Sequence, residues 1–316
     1  MVKRVILASP RGYCAGVERA VEAVEAALDR FGEPVYVRKE IVHNVHVVRS
    51  LAARGAVFVE TEEDVPEGGL VVFSAHGVSP AVRVNARARG LETIDATCPL
   101  VMKVHAEARR YAADGYSVLL VGHAGHEEVE GTMGEAPESV LLVESAADAE
   151  RVNVPDPEHV AYVTQTTLSV DETTEILDIL RRRFPALREP AKSDICYATT
   201  NRQRAVKALA ADVDLVLVIG SRNSSNSNRL VEVARGEGAD AYLVDDESDI
   251  DETWLHGVET VGLTSGASAP EGLVRRVLAW FAARGVTDVS SQPFTPEHVT
   301  FNAPAELRRA APAAAS

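Results

Sequence analysis

Apolar positions at the start of the chain come in two rhythms. Val5 to Ala8 form a short unbroken apolar run, and Val17, Ala20, Val21, Val24 and Leu28 then recur at helical spacing. The first rhythm predicts a buried strand, the second an amphipathic helix. Both return further on. Val101, Val104, Ala108, Tyr111 and Ala112 share one face of a helix followed by the strand SVLLV; Val206, Leu209, Ala210 and Val213 share another, followed by LVLVIG. Short Val, Ile and Leu runs alternating with amphipathic helices predict an α/β fold with mainly parallel sheets flanked by helices.

The polar positions repeat in step. Each of three segments has a cysteine directly before its helix: Cys14 in PRGYCAGVERA, Cys98 in IDATCPLVMKVH and Cys196 in KSDICYATTNRQ. The strand after each helix ends in a polar stretch: His43 with Asn44, GHAGHEE with His123 and His126, or SRNSSNSN with Ser224, Ser225 and Asn226. The offsets agree, being 29 from Cys14 to His43, 28 from Cys98 to His126 and 28 from Cys196 to Ser224. A further strand runs into SAHGVS, TQTTLS or TSGASAP, with offsets of 62 to His76, 68 to Thr166 and 72 to Ser268.

Three small α/β domains around a pseudo-threefold axis are therefore expected, covering 14–97, 98–195 and 196–285, with the N-terminal strand (1–13) joining the third. After Gly285 the pattern fades, and 286–316 is expected to be a C-terminal extension, partly disordered and outside the catalytic unit. Ligands of parallel sheets bind beyond the carboxyl ends of the strands, which brings three cysteines and six polar loops to one centre.

The net charge of −15 argues against nucleic acid or an anionic membrane surface as a partner. It also means that an anionic ligand needs local donors. No apolar run approaches the ~20 residues of a membrane span, and Met1 to Ala8 runs straight into the first strand without a signal peptide. A cytoplasmic location is expected, and three well-separated cysteines make a poor disulfide framework.

A cysteine at a helix start sits near unpaired N–H groups and the positive end of the helix dipole, both of which favour a thiolate. Three such positions suggest one shared site. Zinc held by three cysteines and a histidine is one reading, an iron-sulfur cluster with one iron lacking a protein thiolate another. The loops add neutral hydroxyl, amide and imidazole donors at helix starts, a suitable cradle for phosphate. Glu128 is the carboxylate expected in the pocket, with a raised pKa that suits a proton donor, whereas Glu127 and Glu130 read as solvated helix residues.

The segments PRGYCAGVERA, FSAHGVS, DATCPLV, GHAGH, TQTTLSVD, DICYATTNRQ, GSRNSSNSNRL and TSGASAP closely resemble the 4-hydroxy-3-methylbut-2-enyl diphosphate reductase family, over about residues 4–281. The resemblance implies a trefoil-like fold of three domains and a 4Fe-4S cluster held by Cys14, Cys98 and Cys196. It further implies diphosphate binding by His43, His76, His126, Ser224, Ser225, Asn226 and Ser268. Thr166 corresponds to a residue near the substrate hydroxyl, and Glu128 to the glutamate that delivers a proton. The implied reaction is reductive dehydroxylation to isopentenyl and dimethylallyl diphosphate, with electrons from a ferredoxin or flavodoxin type of donor. A colourless zinc sensor of a phosphorylated metabolite and a hydratase needing no reductant remain alternatives. One departure from the family pattern is Glu127, where many relatives carry proline.

Overall fold

The computed structural model describes residues 2–308. The first segment runs β1 (Arg4–Ser9), α1 (Ala15–Phe31), β2 (Val35–Arg38), α2 (Val45–Ala52), β3 (Ala56–Val59), β4 (Leu70–Phe73), α3 (Pro80–Ala88) and β5 (Glu92–Asp95). The second runs α4 (Pro99–Ala113), β6 (Ser117–Val121), α5 (Glu127–Met133), β7 (Val140–Val143), α6 (Ala146–Arg151), β8 (Val160–Thr164) and α7 (Val170–Arg183). The third runs α8 (Tyr197–Ala210), β9 (Leu215–Ile219), α9 (Ser225–Gly236), β10 (Asp240–Val244), β11 (Thr260–Ser265), α10 (Glu271–Ala282), β12 (Asp288–Pro293) and α11 (Ala305–Arg308).

These strands form three sheets, ordered β3-β2-β4-β5, β7-β6-β8 and β10-β9-β11-β1-β12. Every pairing within them is parallel. This is the α/β architecture of three small units that the periodicity predicts. Strands β8 and β9 are buried at all five positions, which is why they read as unbroken apolar runs rather than alternating ones. Helix α1 buries Val17, Ala20, Ala23, Val24, Ala27 and Leu28 against Val35, Val37 and Val72. Each fully buried Val or Leu contributes roughly 1.5–3 kcal/mol, and the alanines let the helix lie close on the sheet. No helix among the described residues is long and apolar enough to cross a membrane.

The tail differs from expectation. Residues 286–308 are part of the fold: β12 pairs with β1 from Arg4–Asp288 to Ser9–Pro293, and α11 follows. Beyond β12, Glu297 reaches the fully buried Arg202 (3.2 Å), and the Asn302 carbonyl accepts from Arg19 Nε (2.8 Å). The strand escapes a periodicity search because DVSSQP has little apolar alternation; it is an edge strand held by backbone bonds. The expectation of disorder in the last residues, APAAAS, lies outside the described residues.

Candidate functional site

Each cysteine is the N-cap residue of its helix, Cys14 on α1, Cys98 on α4 and Cys196 on α8. Each is also tied to the preceding segment around the axis. The Cys98 N–H donates to Ala75 O (2.9 Å), Cys196 N–H to Thr166 O (3.1 Å) and Cys14 N–H to Ala267 O (3.2 Å). Ala75, Thr166 and Ala267 all stand two residues past the end of a strand, after Phe73, Thr164 and Ser265. Likewise His43, His126 and Ser224 all stand five residues past a strand end, after Arg38, Val121 and Ile219. Equivalent backbone positions in three segments therefore aim three sulfurs and two sets of polar side chains at one point.

The pocket there is lined by all twelve residues to which the family resemblance gives a role: Cys14, His43, His76, Cys98, His126, Glu128, Thr166, Cys196, Ser224, Ser225, Asn226 and Ser268. It is laced across segments, Ser268 Oγ donating to His43 O (2.8 Å) and Val45 N–H to Ser221 Oγ (3.0 Å), while within the third segment Asn226 Oδ1 accepts from Ala267 N (2.8 Å). His123 does not join it; that ring lines a separate cavity and meets Arg229 at 3.4 Å.

The three thiols are free. Burial and the Cys14 sulfur push the Cys98 thiol up to about 12, against the pull of the Leu100 and Val101 N–H groups. The same two causes push Cys196 up to about 11, against its bonds from Thr199. The helix starts thus favour a thiolate as expected, but burial and mutual repulsion outweigh them. Crowded sulfurs of this kind suit a metal centre, whose positive charge reverses the balance and keeps thiolates ionised. Gly16 keeps the space open, since a Cβ there would lie 2.7 Å from Cys98 Sγ. The donor set is soft sulfur without a paired C-x-x-C, which fits an iron-sulfur cluster.

Glu128 is buried, and both its oxygens face Thr166: Oε1 accepts from the backbone N–H (2.6 Å) and Oε2 from Oγ1 (2.9 Å). Burial nevertheless raises its pKa to about 7, the Thr166 bonds pulling the other way. A carboxyl group poised near neutrality can hold a proton and release it.

The three histidines cluster. The rings of His43 and His76 stack with centroids 4.0 Å apart, and His126 stands edge-on to them at 5.5 and 5.8 Å. Burial, then the charges of His76 and His43, lower His126 to about 3, so this ring is neutral. Its Nδ1 accepts the Glu128 N–H (3.1 Å), which leaves the proton on Nε2.

Several neighbours escaped the sequence reading. Glu127 is a half-buried partner of the site rather than a solvated helix residue: its Oε2 lies 3.2 Å from both His76 Nδ1 and Ser74 Oγ. Burial pushes its carboxyl up, yet the His76 bond and the His76 and His43 charges outweigh it and hold it below the usual range. Thr167 lines the pocket three residues past β8, the place that His76 holds after β4 and Ser268 after β11, and its hydroxyl donates to Ser225 Oγ (3.0 Å). Aligning the loops by strand end rather than by cysteine offset finds it. Thr199, 3.2 Å from Cys196 Sγ, is visible beforehand as the third residue of a capped helix.

Comparison with known proteins agrees with this geometry. The family model described as LytB protein matches residues 5–282. A protein of Acidothermus cellulolyticus named 4-hydroxy-3-methylbut-2-enyl diphosphate reductase is 63% identical over 308 residues, which is 97% of this chain and 91% of that one. Another of the same name from Mycobacterium ulcerans is 62% identical over 309 residues, covering 98% and 93% of the two chains. Among solved structures, the E-1-hydroxy-2-methyl-but-2-enyl-4-diphosphate reductase of Plasmodium falciparum superposes with a TM-score of 0.94 at 38% identity, covering 97% of each chain. With a family model spanning nearly the whole fold and relatives this similar over more than nine-tenths of their length, the chain belongs to the LytB protein family.

Proposed function

We propose that this chain is a reductase that removes the allylic hydroxyl of 4-hydroxy-3-methylbut-2-enyl diphosphate, giving isopentenyl and dimethylallyl diphosphate. The observation that carries this reading is Glu128, a buried carboxyl with a pKa near 7 that shares one pocket with three free thiols and a set of anion-binding donors.

Cys14, Cys98 and Cys196 are the residues that would hold a 4Fe-4S cluster, which supplies the electrons. In the balanced reaction the carbon–oxygen bond breaks, a carbon–hydrogen bond forms, and two electrons and two protons are consumed as one water leaves. Hydroxide is a poor leaving group, so a proton must reach the departing oxygen. Glu128 holds that proton, and Thr166 Oγ1, 2.9 Å from Glu128 Oε2, orients the hydroxyl. His126 presents Nε2–H, and Ser224, Ser225, Asn226 and Ser268 present neutral donors to the diphosphate at the start of α9 and beside His43. None of the pocket residues is Lys or Arg, so capture rests on hydrogen bonds and imidazole charge.

The electrons come from a small ferredoxin or flavodoxin type of donor, and three reduced thiols fit the cytoplasm. Anaerobic purification with iron and sulfide counts, a visible spectrum and turnover with a chemical reductant tests the proposal. Brown protein that consumes two electrons per product is expected. A colourless zinc protein, or product formed without reductant, overturns it.

A further inference from the structure

His43 and His76 each carry a carboxylate on the same ring atom. Glu40 Oε2 lies 3.3 Å from His43 Nδ1, and Glu127 Oε2 lies 3.2 Å from His76 Nδ1. An ionised carboxylate only accepts, so both Nδ1 atoms carry hydrogen. A neutral ring with its hydrogen on Nδ1 offers a bare Nε2, which accepts and cannot donate to a phosphate oxygen. His126 is arranged the opposite way and donates while neutral. Two of the three imidazoles in an anion site are therefore fixed in the form that binds an anion only after gaining a proton.

The stacking decides how many protons are held beforehand. Two imidazolium rings 4.0 Å apart repel, so the free pocket disfavours charging both. A bound diphosphate removes that obstacle by placing negative charge against both rings. The other groups facing the pair are His126, edge-on to both, and Ser74, which donates to Glu127; Asn223 donates to Glu40 (2.7 Å). Lys39, held by Glu60 at 2.8 Å, and Glu130 are the further charges on this side.

We propose that Glu127 is a positioning residue that, with Glu40, makes diphosphate capture proton-linked: about one proton enters the His43–His76 stack with each diphosphate. This rests on the reading of the pocket as a diphosphate site. The sign follows from linkage. Bound anion raises the imidazole pKa relative to the free pocket, so affinity is full at low pH and is lost as pH rises through the bound-state value.

Titration calorimetry of the anaerobic, cluster-loaded protein with inorganic diphosphate, in buffers of different ionisation enthalpy, reads the proton count directly. The wild type should take up more protons than Glu127→Gln. Its affinity should fall by up to about tenfold per unit between about pH 6 and 8, with a flatter slope in the variant. Glu127→Pro, which suits the first position of α5, should behave as Glu127→Gln does. The ¹⁵N shifts of the His43 and His76 rings together should show the stack gaining imidazolium character as diphosphate binds. A carboxylate that merely repels the ligand gives a different result: the variants bind more tightly at every pH with unchanged proton uptake, and the inference fails. Unchanged shifts of both rings also overturn it, as does affinity that depends on an added divalent cation. No diphosphate binding at any pH overturns the proposed function as well, which separates the two failures.

Discussion

Thr166 binds Glu128 twice, through its backbone N–H at 2.6 Å and its hydroxyl at 2.9 Å, while its own carbonyl accepts the N–H of Cys196. One residue thereby fixes the carboxyl group relative to a sulfur. Glu128→Gln keeps the shape and loses the acid, so kcat should fall by ~100-fold or more while diphosphate binding and the cluster spectrum persist. A cluster-loaded Gln variant turning over within about threefold of wild type under excess reductant would remove the acid role.

The same carboxyl sets a pH dependence. Its folded pKa, near 7, lies above the usual glutamate value. The stability it contributes is complete below the unfolded pKa and is lost as pH rises through about 7. Turnover limited by this acid should decline over the same window. Glu128→Gln should flatten both profiles, as checked by denaturant titrations and by rates at a series of pH values; parallel profiles for the two proteins contradict the assignment.

Changing Cys14, Cys98 or Cys196 singly to Ser should lower iron content and abolish turnover, because the three thiols face one centre. Gly16→Ala is the subtler test. Alanine is favoured over glycine in a helix, yet its Cβ would stand 2.7 Å from Cys98 Sγ. Helical content by circular dichroism should be unchanged and iron content reduced. Full loading of the alanine variant would show that the sulfurs are not held at their present spacing.

Thr167→Val should weaken diphosphate binding without altering the cluster spectrum. Its hydroxyl donates to Ser225 Oγ and occupies the place that His76 and Ser268 hold in the other two segments. Equal affinity in calorimetry would mark it as a packing residue only.

Glu297→Ala should cost about 2 kcal/mol of unfolding free energy, since it leaves the buried Arg202 guanidinium without its carboxylate. Ending the chain at Gly285 removes β12 as well and should lower the thermal midpoint and the iron content together. A truncated protein as stable and as well loaded as the full chain would show that the tail is dispensable.

The cysteines, the polar loops and the threefold order were legible because each follows a short unbroken apolar run or opens a helix, where local rules act. What stayed hidden depends on contacts between segments. Glu127 looks solvated on its own helix, and only the Ser74–His76 loop turns it into a partner of a pocket histidine. His123 shares a polar loop with His126, but two turn residues, Ala124 and Gly125, separate them, and His123 lines the neighbouring cavity with Arg229 instead. The tail contributes backbone bonds and the carboxylates of Asp288 and Glu297, none of which leaves an apolar rhythm.

Strand β1 has a place in time as well as in space. It is the first of the described strands along the chain, yet its sheet partners β11 and β12 are the last two, and Cys14 must find Ala267. A nascent chain carries Val5–Ala8 unpaired until the third segment has been made, the kind of exposed apolar edge that chaperones shield. The same long-range contacts tie Cys14 to the third segment, so the three sulfurs come together only once β1 has docked beside β11.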